Sequence, residues 1–169
     1  SNSFGSADDS ISRSLGAGTY FVRVLPGSST VDTRYSLTFQ ANPTGIVDQA
    51  GNTASSALDV GILEGERNFQ DFVGTADNND YYRFTLNGVR DFNIDLFGMS
   101  QDADLRLYIG EQNLNGSWEL GDRIESSNSF GSADDSISRS LGAGTYFVRV
   151  FQGSSTTDTK YRLRLNATA

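Results

Sequence analysis

The sequence predicts an all-β sandwich. Three observations carry that prediction. Apolar residues recur at every second position in many short stretches, glycine and asparagine interrupt those stretches about every ten residues, and helical periodicity is weak throughout. Period two is the spacing of a strand with one buried and one wetter face.

The elements follow in chain order. "NTASSALDVGILEG" mixes small and branched residues and predicts a short turn of helix or an edge strand. "DYYRFTLNG" sets Tyr82, Phe84 and Leu86 on one face and Tyr81, Arg83 and Thr85 on the other. "DFNIDLFG" turns Phe92, Ile94 and Leu96 inward. Asn87-Gly88 between these runs predicts a hairpin-like turn. "ADLRLYIG" alternates Leu105, Leu107 and Ile109 against Asp104, Arg106 and Tyr108. "DSISRSL" offers Ile137 and Leu141, and "GTYFVRVF" offers Tyr146, Val148 and Val150. "KYRLRLN" sets Tyr161, Leu163 and Leu165 against Lys160, Arg162 and Arg164.

Part of this pattern is present twice. Residues 1–41 align without gaps on 127–167 and differ at eight positions. They are Leu25/Phe151, Pro26/Gln152, Val31/Thr157, Arg34/Lys160, Ser36/Arg162, Thr38/Arg164, Phe39/Leu165 and Gln40/Asn166. The offset of 126 residues is too long for a solenoid repeat and close to a whole domain. The expected organisation is therefore the closing half of an upstream copy in 1–41, a linker at 42–47, and a complete domain at 48–167. A 41-residue half rarely buries a core alone. Its apolar strands would pack on the complete domain, pair with another chain in a homo-oligomer, or displace the downstream copy.

Composition narrows the function. Thirteen Lys+Arg against 21 Asp+Glu give a net charge of −8, the wrong sign for nucleic acid or an anionic membrane surface. No apolar run approaches the ~18 residues of a membrane span. Cysteine is absent, which removes disulfides and thiolate chemistry, and so is histidine, the commonest general base and transition-metal ligand. Lys160, the sole lysine, alternates with Tyr161 onto the exposed side of a strand, and Arg34 takes its place in the other copy. A serine nucleophile therefore finds no base, and the expectation is a protein without catalysis.

The residues most suited to chemistry are Asp77-Asn78-Asn79-Asp80, two carboxylates three apart in a turn with amides between them. Calcium takes six to eight oxygens from carboxylates, amides, carbonyls and water. Asp48 and Asn52 in "DQAGNT" add oxygen donors upstream. The same residue types also fold Asx-turns that need no ion, and both readings stand. Asp102-Ala103-Asp104 reads as a tight turn whose side chains cap amides, and Asp134-Asp135 as solvated charge. Trp118, the one tryptophan, falls in a predicted loop as a lid over the sandwich or a platform for a polymer.

"DQAGNTASSALDVGILEG", "DFVGTADNNDYYRFTL", "DADLRLYI", "LGAGTYFVRV" and a final "YRLRL" together resemble the bacterial pre-peptidase C-terminal domain, from about Asp48 to Ala167. The resemblance implies a jelly-roll-like antiparallel β-sandwich, accessory rather than catalytic, attached to secreted peptidases or other exported bacterial proteins. Cyanobacterial extracellular proteins carry similar domains in tandem, which implies neighbouring repeat domains as partners and a secreted or cell-surface location. The related collagen-binding domains of clostridial collagenases hold calcium between an acidic N-terminal segment and an Asp-x-x-Asp pair. By that resemblance Asp77 and Asp80 are calcium ligands, with Asp48 and Asn52 a looser match. The expected work is adhesion, spacing or support of an attached enzyme. The alternatives are a removable processing segment or a module binding an extracellular polysaccharide or protein. Collagen-binding relatives place tyrosines where Phe151 and Gly153 stand here, a departure from collagen recognition.

Overall fold

The computed structural model describes residues 9–11, 19–26, 34–39, 47–153 and 158–169. The chain divides into two compact units, Ser1–Gly45 and Ile46–Ala169. The predicted linker lies outside the described residues except for Val47, as does much of the earlier copy. The described residues of the first unit carry no strand, and their apolar side chains are exposed, Phe21 at 94% and Phe39 at 71%.

The second unit is a sandwich of nine strands: β1 (Leu58–Ile62), β2 (Gly65–Val73), β3 (Asn79–Leu86), β4 (Arg90–Phe97), β5 (Ala103–Gln112), β6 (Trp118–Ser127), β7 (Asp135–Leu141), β8 (Gly144–Gln152) and β9 (Thr159–Thr168). One sheet has the order β1-β3-β8-β5-β6 and the other β2-β9-β4-β7. Strands β2 to β9 thus follow jelly-roll topology, crossing between layers at each step except the β5–β6 hairpin. All pairings are antiparallel except β1 on β3, which runs parallel at the edge.

The alternating residues make the core. Tyr82, Phe84, Phe92, Ile94, Leu96, Leu105, Leu107, Val148, Val150, Leu163 and Leu165 are fully buried between the layers. The Phe84 and Phe92 rings stack across them at 4.6 Å. Ile109 departs from its predicted face: it is 41% exposed, at the point where the β5–β6 register slips between Tyr108 and Gly110.

Two local expectations change. Asn87-Gly88 does not close a hairpin, since β3 and β4 belong to different sheets. Both strands turn apolar faces to one core, and the short connection carries the chain from layer to layer. The tight hairpin is at β5–β6, where the Asn113 and Gly116 backbones close the turn and Gly116 has φ 78°. Asn113 Oδ1 accepts hydrogen bonds from the Asn115 and Ser117 amides, each at 3.0 Å. Trp118 therefore begins a strand instead of sitting in a loop, and its half-buried ring lies under the Arg83 guanidinium at 5.3 Å. The segment "NTASSALDVGILEG" contains both predicted forms, a 3-10 turn at Ala54–Ser56 capped by Thr53 and then β1.

Candidate metal centre

Asp80 follows from the pleat. It shares the inward face of β3 with Tyr82, Phe84 and Leu86, so its carboxylate enters the sandwich and is fully buried. Tyr161, inward on β9, donates a hydrogen bond to Asp80 Oδ2 and lies 2.7 Å from the Tyr82 hydroxyl. Asp80 Oδ1 is buried without a partner. Burial is the main reason its carboxyl is pushed up to about 8; the Tyr161 hydrogen bond opposes this, and Asp71, Asp77 and Asp48 add to it.

Asp71 was not singled out by sequence, yet it stands at the centre of the group. It lies inward on β2, in the alternation Phe69, Asp71, Val73, and is fully buried. Its Oδ2 accepts hydrogen bonds from the Gln49 amide at 2.9 Å and the Ala50 amide at 3.1 Å. Its Oδ1 accepts from the Phe72 amide at 3.0 Å. Those bonds fasten the segment entering the domain and bring Asp48 alongside. Carboxylate oxygens of Asp48, Asp71 and Asp80 lie within 4.8 Å of one another, the only such group of three acids among the described residues. The signal was an acid on the apolar face of an alternating run, in a stretch too mixed to announce itself as a strand.

Asp77 sits in the β2–β3 turn, where its backbone exchanges hydrogen bonds with Gly74. Its carboxylate is 5% exposed, and both oxygens are buried without a hydrogen bond of normal geometry. Burial first, then the charges of Asp48 and Asp71, push it up to about 6, while the nearby Asn52 side chain pulls it down. Thus Asp80 and Asp48 converge, Asp77 lies beside them under the same charges, and Asn52 stands next to Asp77.

The ion pairs among the described residues, Arg83–Asp59, Arg139–Glu125 and Arg164–Asp95, involve none of these acids. Buried carboxylates without hydrogen-bond or cationic partners are costly, and they cluster with hard oxygen donors only. That donor set fits a hard divalent cation, with Asp48, Asp71, Asp77 and Asp80 as the residues that would hold it.

The other acidic turns differ from expectation. Asp135 is not solvated: it is 1% exposed, and its Oδ1 accepts from the Ser127 hydroxyl at 2.5 Å and the Ser129 amide at 2.9 Å. The inward pleat of β7 buries it while its neighbour Asp134 stays exposed. Asp102 does not cap an amide through Oδ1, which is buried without a partner; its carbonyl instead accepts from the Gly153 amide. Two shallow concavities of about 310 and 240 Å³ contain neither Trp118 nor a tyrosine. No helix among the described residues is long and apolar enough to cross a membrane.

Residues 78–152 match the family model of the bacterial pre-peptidase C-terminal domain. No curated protein matches the chain. Among solved structures, the pre-peptidase C-terminal domain of a Bacillus anthracis collagenase is similar at 15% identity, covering 66% of this chain and 93% of that one, with TM-score 0.46. PliG from Aeromonas hydrophila, a periplasmic inhibitor of g-type lysozyme, is similar at 12% identity over 66% of this chain and 96% of its own, TM-score 0.44. The Salmonella Typhimurium PliG is similar at 14% identity over 66% and 99%, TM-score 0.43. Residues 78–152, which take in β3 to β8, are therefore the part of the chain similar to the bacterial pre-peptidase C-terminal domain.

Proposed function

We propose that this domain is a calcium-stabilised accessory module of a secreted or cell-surface bacterial protein, serving adhesion, spacing or support of an attached exported enzyme. One observation carries the calcium reading: three buried aspartates, Asp71, Asp77 and Asp80, gather with Asp48, and both Asp77 oxygens and Asp80 Oδ1 lack partners. A dication at this point would neutralise the charge and supply the missing contacts. It would also join the entering segment at Asp48 to β2 and β3, so the ion is structural and no chemical step depends on it. Extracellular modules bind calcium at about 10⁻⁴–10⁻³ M, which suits a protein working outside the cell.

The test is thermal melting at neutral pH in chelator and in calcium. At about 100 times the dissociation constant, calcium adds about 3 kcal/mol by mass action. An unchanged melting temperature removes the ion and leaves the sandwich standing.

A further inference from the structure

The three strands that close the sandwich show which residues closure needs. Strands β7, β8 and β9 bury twelve side chains against the rest of the domain. The earlier copy has the same residue at eleven of these positions; the exception is Leu165, replaced by Phe39. Of the other seven differences, Thr157 falls outside the described residues and six lie at exposed or half-exposed positions. Apart from Leu165/Phe39, the two copies thus differ where the strands meet water and agree where they meet β2, β3, β4 and β5. Ladder hydrogen bonds are backbone bonds and tolerate these exchanges. Only Pro26, in place of Gln152, removes a donor, and it does so at the last residue of β8.

The earlier copy holds this information with its described apolar residues in water. Tyr20, Phe21, Val22, Tyr35, Leu37 and Phe39 are each between 48% and 94% exposed, whereas their counterparts in β8 and β9 are at most 8% exposed. We infer that residues 9–41 are a second closing half, competent to take the place of β7–β9 in the sandwich of a second copy of this chain.

The connection favours a second copy over the same one. Gly65 pairs with Ala167 and Asp71 with Tyr161. If 9–41 closed its own sandwich, Ala41 would lie opposite Gly65 while Asp48 stayed beside Asp71, about 20 Å along the strand. The stretch from Ala41 to Asp48 reaches at most about 25 Å. Closure within one chain would need that stretch almost fully extended, and closure of a second chain has no such constraint.

The experiment uses the full chain. Val148→Asp with Leu163→Asp places charges at two fully buried positions and disables β8 and β9. Val22→Asp with Leu37→Asp places charges at the matching positions of the earlier copy. The Val148/Leu163 variant is expected to retain a cooperative melt and to sediment as a dimer or larger species. Adding the Val22 and Leu37 substitutions should abolish the melt. A Val148/Leu163 variant that is unfolded, or folded as a monomer, overturns the proposal. So does a dimer that persists when all four substitutions are present.

Discussion

Replacing Asp80 by asparagine separates what its charge costs from what a cation would return. The carboxyl is fully buried and held at about 8, whereas an ordinary aspartate titrates near 3.8. At pH 7 the folded domain must hold a proton there or keep a charge in its core, while the unfolded chain is freely ionised. The gap between 3.8 and pH 7 is about three units, or about 4 kcal/mol against folding. The amide has nearly the same shape, still accepts from the Tyr161 hydroxyl, and carries no charge to repel Asp71, Asp77 or Asp48. Without metal, Asp80→Asn should therefore be more stable than the parent by about 2–4 kcal/mol, a rise of about 5–15 °C for a domain of this size. With excess calcium the parent gains about 3 kcal/mol and the variant, short of one charged ligand, gains little. Circular dichroism melts at pH 7 in chelator and in calcium give the four temperatures needed. The reasoning fails if the variant melts below the parent in chelator, or if both gain the same increment from calcium.

The same groups set a pH dependence. In chelator, stability should fall as pH rises from about 4 to 8, because the folded state keeps the Asp80 proton to about 8 and the Asp77 proton to about 6 while the unfolded chain releases them near 3.8. Calcium should therefore stabilise strongly at pH 8 and weakly at pH 5; equal shifts at both values would contradict the assignment. Tyr161→Phe removes the hydroxyl that bonds both Asp80 and Tyr82, and should cost about 1–3 kcal/mol in urea titrations. Gly74→Ala would place a methyl 2.0 Å from Asp158 Oδ1, which accepts from the Thr75 amide at 3.0 Å, and should cost about 1–3 kcal/mol. Much of that loss should disappear in an Asp158→Ala background, and a full additive loss would argue against the clash.

What the sequence made legible follows the strength of local alternation. Phe92, Ile94 and Leu96, or Tyr161, Leu163 and Leu165, share one face with no competing signal, and the structure buries all six. Strands β2 and β6 escaped notice for a physical reason: β2 carries Asp71 on its inward face, and β6 is an edge strand with no fully buried residue. Layer assignment was invisible, because alternation says which residues face inward but not from which sheet. That is why Asn87-Gly88 read as a hairpin. The candidate site was half visible. Asp77 and Asp80 stand out as a spaced pair, whereas Asp71 becomes meaningful only when register brings β2 beside β9 and Tyr161 beside Asp80.

The last strand of this domain, β9, is flanked on both sides, by β2 and by β4. Because polypeptides are synthesised from the amino end, one sheet keeps a gap at its middle until the final ten residues of β9 have emerged. Losing those residues by early termination would remove the seam of a layer, not its margin.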